Sequence, residues 1–349
     1  MFVRNCWYAA AWDHELGREP LARTFLNEPV VMFRGTDGTP IALADRCCHR
    51  GLPLSLGRLE GDLIRCGYHG LVFDRTGSCV EVPGQSTVPP GATVQAYPMV
   101  ERHHLVWIWM GDPALAEESE IVDFRWMDEP YKFKGERIYV KANYQLMVDN
   151  LLDLSHLTYL HPSTVGVPEL AERAKVSTEF EDDRVLVTRW TLDVSPPPMF
   201  RAFGGIDDNV DIWQISRFNA PSFFDINNGM ALAGTGAPEG IENPAQRRWG
   251  FHPCHGITPE TETSTHDFWS MTYAFEFASP AQLEKWYQDA KGIVREDIAA
   301  IEAVQRVLDS RPDAPAVDIN YDAGPLAARR AVDRLLQDEA AADGATAAA

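Results

Sequence analysis

Two short islands carry the chemistry of this chain: Cys47-Cys48-His49 and Cys66-Gly67-Tyr68-His69, with sixteen residues between His49 and Cys66. Each supplies one thiol and one imidazole. Two cysteines and two histidines are also the inventory of a structural zinc site, but zinc fingers keep the cysteines at one end and the histidines at the other. Here each loop carries one of each. That order suits a [2Fe–2S] cluster clasped between paired loops, one iron on Cys47 and Cys66, the other on His49 and His69. Replacing anionic thiolates by neutral imidazoles lowers the negative charge at that iron and raises its reduction potential.

A second set lies downstream. A helix expected over residues 143–160 carries Asp149, Asn150, Asp153 and His156, with His161 just before Pro162. Asp149, Asp153 and His156 stand at i, i+4 and i+7 and so share one helical face. Their neighbours Leu146, Met147, Leu151, Leu152, Leu154 and Leu157 are apolar. Carboxylates and imidazoles in such a setting are costly without partners, and a metal ion supplies the compensation. Pro162 ends the helix near His161 and frees that side chain to reach the same ion. Two histidines with a carboxylate form the non-heme iron(II) pattern.

For the carboxylate, a helix from 281 to about 308 has an apolar stripe through Trp286, Ala290, Ile293, Ile301 and Val304. Asp297 lies on that stripe, while its neighbour Glu296 points away from it. The residues leave two alternatives open: a solvated acidic face for the first helix, and a buried salt bridge for Asp297.

The elements that must position these groups differ between the two parts of the chain. Residues 29–110 read as short strands punctuated by turns such as Gly35-Thr36-Asp37-Gly38 and Arg75-Thr76-Gly77, an all-β module with its cluster on two loops. Gly111-Asp112-Pro113 and the acidic Glu117-Glu118-Ser119-Glu120 read as a linker. Beyond it, alternating stretches at 211–217 and 265–277 indicate half-buried strands mixed with the two helices. The expected class is therefore α+β, with domains at 1–112 and 113–337 and an Ala-rich tail, 338–349, expected to fray or be disordered.

Composition narrows the rest. A chain of 349 residues has room for two domains with substantial cores. Its formal charge of −20 argues against nucleic acid, which needs a basic footprint. No apolar run approaches a membrane span, and Met1-Phe2-Val3-Arg4-Asn5-Cys6 lacks the pattern of a signal peptide, so a cytoplasmic protein is expected. Cys6, Cys48, Cys79 and Cys254 read as buried or semi-buried free thiols rather than a disulfide framework.

Taken together, Cys-x-His-x16-Cys-x2-His followed by Asp-x2-His-x4-His resembles the Rieske non-heme iron oxygenases over essentially the whole chain. Within that family it is most similar to the oxygenase components of toluenesulfonate methyl-monooxygenases and vanillate O-demethylases, with the dicamba O-demethylases more distant. Phe2-Val3-Arg4-Asn5-Cys6-Trp7-Tyr8, Arg46-Cys47-Cys48-His49-Arg50, Trp107-Ile108-Trp109-Met110-Gly111-Asp112-Pro113 and Val148-Asp149-Asn150-Leu151-Leu152-Asp153 carry the similarity. Cys48 departs from it, since most of the wider family has proline there.

The resemblance implies a Rieske domain followed by a helix-grip-like catalytic domain. It implies that Cys47, His49, Cys66 and His69 hold the [2Fe–2S] cluster and that His156, His161 and Asp297 hold a mononuclear Fe(II). Asp153, with Asn150 beside it, becomes an electron-transfer bridge to the Rieske histidine of a second copy, hence a head-to-tail homotrimer. Electrons from NADH arrive through a separate flavin and [2Fe–2S] reductase, and O2 is the co-substrate; no Gly-x-Gly-x-x-Gly follows a strand in this chain. The implied reaction hydroxylates a methyl or methoxy group of an aromatic acid, with Asn228, His255, Arg217 and Arg201 as candidate contacts. The competing readings are a ring-hydroxylating dioxygenase or N-demethylase with the same metals, and a ferredoxin-like electron carrier.

Overall fold

The computed structural model describes residues 1–128, 131–181, 183–234, 249–273 and 279–347. Its N-terminal part consists of short strands: β1 (Trp7–Trp12), β2 (Leu21–Phe25), β3 (Glu28–Arg34), β4 (Pro40–Ala44), β5 (Arg58–Glu60), β6 (Leu63–Arg65), β7 (Val72–Phe73), β8 (Cys79–Glu81), β9 (Ala96–Tyr97), β10 (Met99–Arg102) and β11 (Leu105–Trp109). They form antiparallel sheets ordered β1-β11-β10, β2-β3-β4-β9 and β5-β6-β7-β8. Strands as short as β5–β8 cannot stand alone. They are held by a small core in which Leu54, Ile64, Phe73, Cys47 and Cys66 pack on Val31, Phe33 and Leu43 of β3 and β4.

The larger part is one antiparallel sheet of β12 (Lys132–Val140), β13 (Lys175–Glu181), β14 (Arg184–Val194), β15 (Val210–Asn219), β16 (Phe223–Leu232), β17 (Trp249–Thr261) and β18 (Ser264–Tyr273). Its order is β12-β18-β17-β16-β15-β14-β13, a meander closed by β12 joining the last hairpin. The stretch expected at 211–217 lies in β15. The one expected at 265–277 lies in β18 as far as Tyr273, and 274–277 fall outside the described residues.

Helices α1 (Tyr144–Leu152), α2 (Leu157–Leu160), α3 (Pro168–Glu172), α4 (Pro198–Gly204), α5 (Pro280–Ser310) and α6 (Ala323–Ala347) complete the fold. Asn143 caps α1 by accepting from Gln145 N–H, and Ser279 and Gln282 form a reciprocal capping box at α5 with Pro280 in its first turn. Trp286 of α5 packs edge-on against Phe200 and Phe251, fixing the helix over the sheet. Among the described residues no helix is long and apolar enough to cross a membrane.

Two expectations are corrected. The helix over 143–160 is broken: Asp153, at φ −107° and ψ 92°, closes α1 and caps a 3-10 turn, Leu154–His156, before α2 begins. Where a frayed tail was expected from 338, α6 continues to Ala347, and Glu339 accepts the backbone N–H groups of Arg4 and Asn5. Ala-rich sequence is strongly helix-forming once its terminus is tied down. The two parts also share their largest core, in which Trp7, Trp12 and Trp107 pack with Phe223, Phe224 and Ile257. Gly256 lies against Ala9 there: an added Cβ would come within 2.9 Å of the alanine methyl.

Candidate metal centres and cavity

The two cysteine–histidine loops are built alike. Cys47 N–H donates to Leu52 O while its carbonyl accepts from Gly51 N–H; Cys66 repeats both bonds with Leu71 and Gly70. Both glycines sit at φ 76°, a left-handed turn that a side chain would strain. This shared turn points each cysteine inward and each histidine outward. Cys47 and Cys66 are buried, whereas His49 and His69 stand exposed at the tip with ring centroids 4.5 Å apart. Asp45 ties the first loop down by accepting Ser55 N–H and Oγ–H at 2.7 and 2.6 Å. Burial, and then the neighbouring Cys66 thiol, push the Cys47 thiol up to about 11, so this sulfur ionises readily only beside a cation.

Among the described residues, only His156, His161 and Asp297 bring three ligand atoms within 4.8 Å of one another. The four loop residues, one thiol and one imidazole from each of two like-built loops, fit a two-iron cluster.

At the second site His156 and His161 present Nε2 to the same oxygen, Asp297 Oδ1, at 3.3 and 3.1 Å. Each ring is anchored by its other nitrogen. His156 Nδ1–H donates to Asp153 O at 2.6 Å and His161 Nδ1–H to Glu296 Oε2 at 2.6 Å. Anchoring Nδ1 fixes the tautomer and leaves both Nε2 lone pairs free for a metal. Asn150 Nδ2 donates to Asp297 Oδ1 at 3.1 Å. Burial works to raise the Asp297 carboxyl, but hydrogen bonds and charge from the two imidazoles outweigh it and hold the group at about 2. Two imidazoles and one carboxylate around one point leave open positions on an octahedral ion, which fits iron(II).

The broken helix redistributes the acidic residues. Asp149 leaves the site and pairs with Arg329 of α6. Asp153 holds His156 through its backbone oxygen, while its carboxylate accepts Ser155 N–H at 2.8 Å. Glu296, read from the helical phase as pointing away, turns back to His161. Its side chain is long enough to cross the shoulder of α5, and Cβ direction alone does not show that reach. We expect Glu296→Ala to weaken iron binding by about 10–100-fold with the Rieske absorbance unchanged. Titration of iron-depleted protein checks this, and an unchanged affinity would show the contact to be idle.

The triad opens into a cavity between α1, α5 and the concave face of the large sheet. His156, Asn150 and Asp297 form one part of its wall; Phe251, Trp269 and Met271 make most of it apolar. Asn228 and His255 line it, as does Gln214, which the sequence reading passed over. His255 Nδ1 faces the fully buried Asp267 carboxylate at 3.0 Å, leaving Nε2 as its free ring nitrogen. The candidate arginines are placed elsewhere. Arg217 is on the opposite face of β15, half-exposed and 3.6 Å from Asp225, and Arg201 is exposed on α4. The alternation in β15 offers apolar residues in both phases, Ile212 and Trp213, so sequence alone does not reveal which side faces inward. Cys48 is exposed, against the expectation of a buried or semi-buried thiol.

The pattern of the Rieske [2Fe-2S] domain matches residues 6–98, and that of the vanillate O-demethylase oxygenase C-terminal domain matches residues 140–338. The iron-sulfur subunit of a toluene-4-sulfonate monooxygenase system from Comamonas testosteroni is 44% identical over 97% of this chain and 98% of its own length. A vanillate O-demethylase oxygenase subunit from Pseudomonas sp. (strain HR199 / DSM 7063) is 38% identical over 99% and 98%. The crystal structure of dicamba monooxygenase bound to 3,6-dichlorosalicylic acid superposes with a TM-score of 0.87 at 34% identity, covering 97% of this chain and 99% of that one.

Proposed function

The chain belongs to the Rieske non-heme iron oxygenases with a vanillate O-demethylase type of C-terminal domain, and from that premise we propose that it hydroxylates a methyl or methoxy group on an aromatic acid. It is a terminal oxygenase carrying a Rieske cluster and a mononuclear iron. Cys47, His49, Cys66 and His69 are the cluster ligands in this reading; His156, His161 and Asp297 are the iron ligands. When bound, the cluster supplies single electrons and the iron a site for dioxygen.

The chain's own residues then do the positioning. Asn150 steadies Asp297, Asp153 O and Glu296 set the two imidazoles, and the apolar wall excludes water and holds an aromatic ring. The observation that carries the reading is the convergence of two Nε2 atoms and one carboxylate at the wall of that cavity. Relatives that act on toluene-4-sulfonate, vanillate and dicamba, all methyl- or methoxy-bearing arenes with an acid group, support the substrate class.

Those relatives are components of multi-protein systems, so a reductase delivers the electrons, in this reading from NADH through flavin and [2Fe–2S] centres. Within one chain, the cluster loops belong to the β3–β8 core, which shares no residue with the core beside the triad. In this reading electrons pass between copies in a head-to-tail homotrimer, with the exposed His49 and His69 of one copy meeting Asp153 of the next.

The test is a screen of methoxylated and methylated aryl carboxylates and sulfonates with a surrogate reductase. Formaldehyde release marks a methoxy substrate and a benzylic alcohol marks a ring methyl, each with oxygen uptake. A cis-diol in place of both would establish ring dioxygenation instead.

A further inference from the structure

We propose that the buried Arg189, with its cross-strand neighbours Gln214 and Asn228, binds the anionic head of the substrate, an aryl sulfonate or carboxylate; this rests on the aromatic-acid reading above. Among the described residues lining the cavity there is no lysine or arginine. Yet one guanidinium lies just behind its wall. Arg189 of β14 pairs directly with Gln214 of β15, and Gln214 pairs directly with Asn228 of β16. Directly opposed residues of antiparallel strands share a face, so all three stand in one row on the concave side.

Arg189 is 2% exposed. Its Nη2 donates to the carbonyl of Leu170, a residue that itself lines the cavity. Its Nε and Nη1 have no hydrogen-bond partner, and neither do Gln214 Oε1 and Asn228 Oδ1. None of the ion pairs within 4.0 Å among the described residues involves Arg189: Asp153 and Tyr321 act on it only at longer range.

A fully buried guanidinium without a carboxylate is costly, as are its unmade bonds. Arg189 and Gln214 are neighbours with complementary donors and acceptors, and still they do not bond each other. An oxyanion between them relieves most of this. It accepts from one of the unpartnered Arg189 nitrogens, Nε or Nη1, together with the second N–H of Nη2, the first being given to Leu170 O, in the forked manner that guanidinium favours. The amides of Gln214 and Asn228, turned about their last bond, donate their N–H groups to the remaining oxygens. The site supplies a charge that the visible cavity wall lacks, and the row of three strands supplies donors for a head with two or three oxygens.

The experiment uses the holoenzyme with both metals loaded and measures calorimetric Kd values for toluene-4-sulfonate, 4-methylbenzoate and the neutral toluene-4-sulfonamide. Arg189→Met is expected to weaken both anions by about 10–100-fold and the sulfonamide by less than about twofold. Gln214→Glu covers the case in which Arg189→Met does not fold. The new carboxylate pairs with Arg189 internally, so Tm rises while both anions lose binding and the sulfonamide keeps it. Equal losses for anion and amide in Arg189→Met overturn the proposal and make Arg189 structural or a servant of Asp153. So does Gln214→Glu with a lowered Tm or an undiminished affinity for the anions. A parent that binds the anions while its variants keep the same preference sinks this assignment alone; a parent that binds none of the probes sinks the aromatic-acid reading with it.

Discussion

Asp297→Ala abolishes turnover and empties the mononuclear site while the Rieske absorbance persists. Asp297 Oδ1 is the point on which both Nε2 atoms converge, and among the described residues no other carboxylate is placed to replace it. Asp149 is committed to Arg329, and Glu296 already holds the far nitrogen of His161. The loss in iron affinity must exceed the roughly 10–100-fold that losing an outer partner costs, so Asp297→Ala falls well below Glu296→Ala. The cluster belongs to a different core and is spared. Iron and sulfide analysis with visible spectra makes the comparison; equal iron loss in both variants would mean that Asp297 is no ligand.

The second large effect is expected at Asp153. Asparagine there keeps the shape of the side chain, and its amide oxygen still accepts Ser155 N–H, so the cap between α1 and the 3-10 turn survives. His156 is anchored by the backbone oxygen of residue 153, which the substitution leaves in place. Both metals therefore stay loaded. What is lost is the carboxylate charge and, in the proposed head-to-tail trimer, the hydrogen-bonded route from the Rieske histidine of a second copy. Single-turnover reoxidation of the reduced cluster should slow by about 10–100-fold with substrate Kd unchanged. Reoxidation at the parent rate would remove Asp153 as the bridge and, with it, the main support for the trimer.

These expectations differ in how far they were legible in the sequence. The cluster loops were, because their ligands are local: a Cys and a His within three residues, closed by a glycine whose φ 76° turn is itself a short-range property. His156 and His161 were legible for the same reason. Asp297 was found by helical phase, a rule about Cβ directions that holds along an uninterrupted 31-residue helix such as α5.

The same rule failed twice. It placed Asp149, Asp153 and His156 on one face of a continuous helix, whereas the chain breaks at Asp153 and sends Asp149 to Arg329, 180 residues away. It also dismissed Glu296, whose contact depends on the length of a side chain and on where α2 ends.

What the sequence by itself determined is the inventory and order of the candidate metal ligands, and from them the class of chemistry. Ligand spacing within a loop or along one helix is written in a few consecutive residues and survives whatever the rest of the chain does. What only the tertiary structure decided is the substrate end of the cavity. Arg189, Gln214 and Asn228 are 25 and 14 residues apart in sequence and become neighbours through strand register alone. Arg217, two strand positions from Ile215, is turned outward on the same strand that turns Gln214 inward. Register is set by which face of the whole sheet is covered, here by α1, α5 and α6, and that is a sum over long-range contacts which no local pattern records.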